Sequence, residues 1–154
     1  MIHETSYVSP NAIIGENANI GAFSVIQDDV VLGDNVTIGS HCEIGVATSL
    51  AKKQKLTIGD NSIIRSHSAL YIGLTTGMNF NTGHYVSIRE NTIIGDFCQI
   101  GSRGDIQGDC SIGDYTKMHA DVHIGKLSKI GSYVWIFPNV LLTNDPTPPS
   151  EELM

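Results

Sequence analysis

The chain has 154 residues, 9 Lys+Arg against 16 Asp+Glu, and a formal net charge of -7. That length allows one domain of ordinary size, and an acidic balance without basic blocks excludes general binding to nucleic-acid backbones, which needs clustered lysine and arginine. Hydrophobic residues make up 41% and charged residues 16%, a composition suited to a packed core, while the apolar runs are too short to span a bilayer.

The chain opens on MIHETSYVSP, which has neither a basic n-region nor an apolar h-region, so no secretory signal is expected. Cys42, Cys98 and Cys110 are too few and too scattered for a disulfide framework. A cytoplasmic setting with reduced thiols is expected. Sixteen glycines against five prolines point to repeated turns.

From the N-terminus onward an aliphatic residue recurs every six positions: Ile2, Val8, Ile14, Ile20, Ile26, Leu32, Ile38 and Ile44. The same beat resumes as Ile58, Ile64, Leu70, Thr76, Thr82, Ile88, Ile94, Ile100, Ile106, Ile112, Met118, Ile124, Ile130, Ile136 and Leu142, interrupted in character but not in phase by the two threonines. We call this position i. Position i+4 is small or β-branched almost throughout, as at Ala18, Ser24, Val36, Cys42, Cys98 and Cys110. Residues two apart in a strand share a face, so i+4 and the next i both point inward and i+5 points out. The stretch i+1 to i+3 is then a turn, with glycine at i+1 suited to positive φ. A pattern reset every six residues cannot be a helix of period 3.6. It predicts an all-β solenoid: short strands, three hexads to a triangular coil of eighteen residues, coils stacked in parallel. At i+4 the cysteines are small core residues rather than reactive thiols.

Between Ile44 and Ile58 the beat slips by one hexad plus eight residues. The segment VATSLAKKQK carries Lys52, Lys53 and Lys55 and reads as a loop ejected from one corner, suited to binding or assembly or simply to solvation. One domain over residues 1–154 is expected, with a loop insertion near 45–57 and a non-repeat tail at 143–154.

Hexads such as IIGENA, TIGSHC and SIGDYT resemble those of the hexapeptide-repeat acyltransferases. The resemblance runs from Ile2 to Leu142 and implies a left-handed parallel β-helix, a triangular prism. The hand rests on the resemblance, because the general crossover rule favours the opposite one. NFNTGHYVSIREN and VWIFPNVLLTNDPTPPS are similar to a branch of bacterial sugar acetyltransferases. That branch implies acetyl-CoA as co-substrate, an amino or hydroxyl group of a sugar (often nucleotide-linked) as acceptor, no metal, and a homotrimer with sites between subunits. Relatives of this kind continue past the TND stretch with coils that help hold the CoA nucleotide, so the short C-terminal side leaves Lys117, Lys126 and Lys129 as the nearby cations for CoA phosphates.

The register places His67, His84, His119 and His123 in one column of hexads, with His41 joining if the loop replaces no full hexad. Ser87, Asp105, His123 and Leu141 form an outward ladder at i+5, which puts the carboxylate of Asp105 beside the imidazole of His123. This is either an orienting pair or a plain cross-strand surface pair. Acyl transfer to an amine or alcohol needs a base near neutral pH and donors for the oxyanion. The TGH stretch carries the general-base role onto His84, with N–H groups at Gly83 as candidate donors. His119 is expected to line the acceptor cleft, and the TND match implies acceptor contact by Asn144 and Asp145. Glu90 lies one corner further on. Trp135, outward at i+5, is expected to pack on a trimer partner. Two other readings stay open: a zinc hydrolyase resembling the γ-class carbonic anhydrases, using His84, His119 and His123, and a non-catalytic solenoid serving as a binding platform.

Overall fold

The computed structural model describes residues 1–145 and Glu151. The expected tail at 143–154 therefore lies mostly outside the described residues. Within them there is no helix, and the strands form three wholly parallel sheets, one of eight strands and two of seven. Sheet I takes Tyr7–Val8, Val25–Ile26, Glu43–Val46, Ala69–Tyr71, Ser87–Ile88, Asp105–Ile106, His123–Ile124 and Leu141–Leu142. Sheet II runs from Ile13–Ile14 to Lys129–Ile130, and sheet III from Asn19–Ile20 to Trp135–Ile136. The chain visits I, II and III in turn. Each strand pairs with those one coil away, as Ser87 with Asp105 and Asp105 with His123. This is a triangular β-solenoid, consistent with the left-handed β-helix.

The six-residue beat is the reason. Ile26, Leu32, Ile38, Ile44, Ile58, Ile64, Leu70 and Ile88 are fully buried in a single apolar column. Position i+4 is small in most coils, where its side chain fits beside the turn carbonyls, with Leu74 and Phe80 as exceptions. Ser24 Oγ donates to Gly39 O, Ser62 Oγ to Gly59 O and Ser128 Oγ to Gly125 O, each at 2.7 Å. The two threonines that break the aliphatic series are also buried. Their hydroxyls accept from Gly59 N and Arg65 N at 3.3 and 3.0 Å. Between them in sequence, Phe80 supplies the bulkiest fully buried side chain. The three cysteines are buried, and burial pushes each thiol up.

The turns correct one expectation. Positive φ falls almost wholly at i+3, where Asn17, Asn35, His41, His67, Tyr85 and Tyr115 all lie near φ 57, and of the i+1 glycines Gly45 alone has it (φ 96). The left-handed conformation costs a non-glycine residue about 1 kcal/mol or more. Its return is a backbone hydrogen bond to the neighbouring coil, as from Asn35 N to Glu16 O at 2.8 Å and Tyr85 N to Ser66 O at 3.0 Å. Glycine at i+1 answers a different need. A Cβ on Gly59 would lie 2.4 Å from the carbonyl carbon of Gly77, and one on Gly101 2.4 Å from that of His119. Stacked coils approach too closely there for any side chain.

The coil that holds the insertion spans 26 residues between stacked partners where the others span 18, so eight residues are added. They lie in a tongue, residues 47–55, between Glu43–Val46 of sheet I and Leu56–Ile58 of sheet II.

Gly59→Ala or Gly101→Ala should destabilise the fold by about 1–3 kcal/mol, as overpacking does. Gly131, where an added Cβ meets nothing within 4 Å, should accept alanine within about 0.5 kcal/mol. Denaturant unfolding of the three variants measures the contrast.

Candidate functional site

A side chain on this prism has its column neighbours one coil before and after, so each candidate is placed by its edge. The edge between sheets III and I carries the histidine column. His41 does join it: Phe23, His41, His67 and Tyr85 form a continuous run of rings, with His41 and His67 centroids 4.8 Å apart and nearly parallel. These imidazoles sit at i+3 and serve the stack. His84 sits one residue earlier in its turn and bonds Ser66 Oγ through Nδ1 at 2.7 Å. The N–H groups expected to serve an oxyanion there are already committed. Gly83 N donates to Ile100 O at 2.7 Å and His84 N to Ser102 Oγ at 3.1 Å.

His119 turns instead onto the outer surface of sheet III. Trp135 Nε1 donates to its Nε2, and His119, Trp135 and Phe137 lie nearly parallel with centroids 5.7–6.2 Å apart. Trp135 and Phe137 are exposed. Lys117 stands beside them, its Nζ 5.8 Å from the centre of the Trp135 ring.

His123 belongs to sheet I and faces away from both. Its Nδ1 donates to Asp105 Oδ2 at 2.9 Å. Asp105 is held in turn by Gln107, whose Nε2 donates to both carboxylate oxygens at 2.8 Å. A carboxylate can only accept, so the proton sits on Nδ1 and Nε2 carries the lone pair of the neutral ring. His123 lines a cavity of about 400 Å³ at the edge between sheets I and II. Arg89, Glu90, Lys126, Asn144 and, from the tongue, Leu50 line it as well. Glu90 is buried and paired with Arg89 Nε at 3.0 Å, and the Arg89 guanidinium lies over the Tyr71 ring.

The column thus holds all the histidines but does not gather them. His84, His119 and His123 have three different sets of partners. Among the described residues no group of three His, Cys, Asp or Glu is arranged to hold a metal ion. Of the expected site residues, the structure brings together His123, Asp105, Asn144 and Lys126, with Asp145 next in sequence. It leaves His84, His119 and Lys117 elsewhere. Sequence reasoning passed over Arg89, Gln107 and Leu50. The first two were legible: Arg89 and Gln107 occupy i+1 of successive coils at this edge, just as Glu90, Lys126 and Asn144 occupy i+2.

The tongue runs along the same edge. Asn91 clamps its backbone, accepting from Lys52 N at 2.8 Å and donating to Leu50 O at 2.9 Å. Asp109 pairs with Lys52 Nζ at 3.1 Å and Lys126 Nζ at 3.6 Å. Burial alone would raise the Asp109 carboxyl. Hydrogen bonds from Lys52 and Asn91, and the charges of Lys52 and Lys126, outweigh it and hold the group below its ordinary value. Beyond the clamp, Lys52 and Lys53 roof a second cavity of about 350 Å³ on the outer face of sheet II, with Lys129 on its far wall.

Residues 11–45 match the family described as bacterial transferase hexapeptide (six repeats). Solved structures with this fold include LpxA, a UDP-N-acetylglucosamine acyltransferase from Bacteroides fragilis (TM-score 0.72, 23% identity, 92% of this chain and 67% of that one). Others are a mutant perosamine N-acetyltransferase from Caulobacter crescentus in complex with CoA and GDP-perosamine (TM-score 0.56, 10% identity, 86% and 53%) and the Arabidopsis UDP-N-acetylglucosamine acyltransferase (TM-score 0.57, 17% identity, 94% and 59%). The chain spans between about half and two thirds of the length of these three. No curated protein sequence matches it. No helix among the described residues is long and apolar enough to cross a membrane.

A carboxylate held below its ordinary pKa stabilises the fold fully above the unfolded value, about 3.9 for aspartate, and loses that contribution as pH falls through the native value. The tongue should therefore keep constant protection from pH 8 to 5. Asp109→Asn should speed tryptic cleavage after Lys52 and Lys53 across that whole range, read by mass spectrometry.

Proposed function

We propose that this protein is an acyltransferase that moves an acyl group from a CoA thioester to an amino or hydroxyl group of a sugar, with His123 as general base. One observation carries the reading: the Gln107–Asp105–His123 chain fixes the tautomer of an imidazole that lines a polar cavity. That is the arrangement of a base and its orienting group. The acyltransferases that share the fold support the reaction class.

In the proposed step the acceptor nitrogen or oxygen attacks the thioester carbonyl and its proton passes to His123 Nε2. The carbonyl oxygen gains negative charge, which the Lys126 ammonium and the Asn144 amide line the cavity to receive. The C–N or C–O bond forms, the C–S bond breaks, and the proton on His123 returns to the departing thiolate. Asp105 holds the ring and stabilises the imidazolium without taking its proton. The buried Glu90 keeps Arg89 in place at the cavity wall. Arg89 and Lys126 give that wall a cationic character suited to an acceptor that carries phosphate, which agrees with a nucleotide-linked sugar. An acetyl group as the acyl unit, a cytoplasmic location and a homotrimer complete the reading. The exposed Trp135–His119–Phe137 surface is the apolar area a neighbouring subunit would cover. In a trimer His84, His119 and Asp145 could still reach a shared site from their own edges.

Thiol release from acetyl-CoA across a panel of nucleotide aminosugars tests the proposal. His123→Ala should lower kcat by about 100- to 10 000-fold, the usual contribution of a general base, with Asp105→Asn lowering it in the same direction. Full activity in His123→Ala together with loss in His84→Ala would move the base to the other edge, and no thioester consumption by wild type with any acceptor would favour a binding platform. Trp135→Asp should shift the assembly to monomer in light scattering.

A further inference from the structure

The outer face of sheet III carries a cavity of about 350 Å³ that the chemistry above does not use. Arg65 bounds it on one side and Gln99 and Ser102 on the other, with Asn81 between them, over the bare turns of Gly83 and Gly101. The register explains why a hollow forms here. Arg65, Gly83, Gly101 and His119 occupy i+1 of successive coils, so two coils without a side chain at that position separate two large ones. The charge of the face is also unusual. In a chain with 16 Asp+Glu, none stands at i+5, i+1 or i+2 of any coil along the seven strands of this sheet. Arg65 is exposed and has no carboxylate partner among the described residues.

Asn81 is the unsatisfied group. Its Oδ1 is buried and accepts from no donor among the described residues, while its Nδ2 reaches only Asn79 O, at 3.5 Å. Asn19, in the same column, makes the same bond to Asn17 O at 3.4 Å, but its Oδ1 accepts from the Met1 ammonium at 3.1 Å. A buried oxygen left without a donor costs stability, so Asn81 is completed by a ligand that brings an O–H or N–H. The Ser102 hydroxyl accepts from His84 N at 3.1 Å and still has its own proton to give, and the Gln99 amide can both give and accept. The Arg65 guanidinium presents a planar fork matched to a carboxylate. It is the one charged side chain lining the cavity, so it neutralises a single negative charge, which favours a monocarboxylate over a dianionic phosphate. With no carboxylate on this face to receive an ammonium, the donor to Asn81 is a hydroxyl. We infer that this cavity binds a hydroxylated monocarboxylate of monosaccharide size, a sugar acid, with its carboxylate on Arg65 and its hydroxyls on Asn81, Gln99 and Ser102. The volume lies at the lower end of small-molecule sites, as such a ligand requires. His123 belongs to sheet I, so the site stands whether or not the protein transfers acyl groups.

Calorimetric titration of the full chain with glucuronate, glucose and acetate tests it without requiring turnover. Wild type should bind glucuronate about tenfold more tightly, or better, than glucose, which has hydroxyls alone, or acetate, which has the carboxylate alone. Arg65→Ala should weaken glucuronate by about tenfold or more, the loss expected for a charge-assisted contact. Arg65→Lys should recover only part of it, because an ammonium lacks the fork. Asn81→Ala should weaken glucuronate too, yet leave the urea midpoint unchanged or raised, since it removes an unpaired oxygen. Lys117→Ala, which removes a cation one coil beyond Gln99 in the same column, should leave the affinity intact. The absence of saturable glucuronate binding, equal affinity in wild type and Arg65→Ala, or an equal loss in Lys117→Ala would each overturn the inference. Glucose or acetate binding as tightly as glucuronate would overturn it as well.

Discussion

The close approach of one coil to the next governs the molecule. At turns such as those of Gly59 and Gly101 the separation leaves no room for a Cβ at i+1, and the i+3 residue is driven into the left-handed region so that its N–H meets the neighbouring coil. Once that contact is set, every column follows: i and i+4 inward, i+5 outward, turns at the edges. In such a quasi-one-dimensional fold a residue's surroundings come mainly from its own coil and the adjacent ones. A site can therefore be assembled only by stacking compatible residues along an edge or a face, or by sending a segment out of the coil.

Both routes meet at the edge between sheets I and II. Stacking supplies Arg89, Glu90, Gln107, Lys126 and Asn144 from successive coils, and the strand face beside it supplies Asp105 and His123. The tongue supplies Leu50 and Lys52, which reach partners 41 and 57 residues away in sequence. No hexad pattern can encode such contacts, because the middle of the tongue is held by the side chains of Asn91 and Asp109 rather than by the ladder of backbone bonds. Asn91 at i+3 is suited to the task. The left-handed turn already fixes its backbone, leaving both ends of its amide for Leu50 and Lys52.

The period made the fold legible because one inward residue in six is a strong, repeated signal, and two threonines could not erase the phase. It made the Asp105–His123 pair legible for the same reason, since both occupy i+5 one coil apart. The period does not say which way a side chain leaves a turn. His84, His119 and His123 share a column, yet at i+2, i+1 and i+5 they leave it in three directions, towards Ser66, towards Trp135 and towards Asp105. It also misplaced the reason for glycine, because conformational freedom and lack of a side chain both predict glycine at a turn and only coordinates separate them. The tongue was legible as an eight-residue excess but not as a clamp, since its path depends on Asn91 and Asp109, far off in sequence.

The acidic balance acquires a different meaning once the charges are located. At the edge between sheets II and III the carboxylates are structural. Asp34, Asp60, Asp96 and Asp114 each accept a backbone N–H from the preceding coil at 2.8–2.9 Å, so they cap turns that strand bonding leaves unpaired. Negative charge strengthens a cap of this kind whatever the protein binds. Four lysines gather on the edge between sheets I and II and the adjoining face of sheet II, with Asp109 and the Arg89-paired Glu90 beside them. The net charge of the whole chain therefore hides a separation across the prism. An anion near the surface would be repelled by one edge and drawn to the other, where the low-dielectric walls of a groove concentrate the field. A balance that argues against binding a long nucleic-acid backbone is thus compatible with capturing a small phosphorylated ligand at one edge, because the two tasks depend on charge over very different lengths of surface.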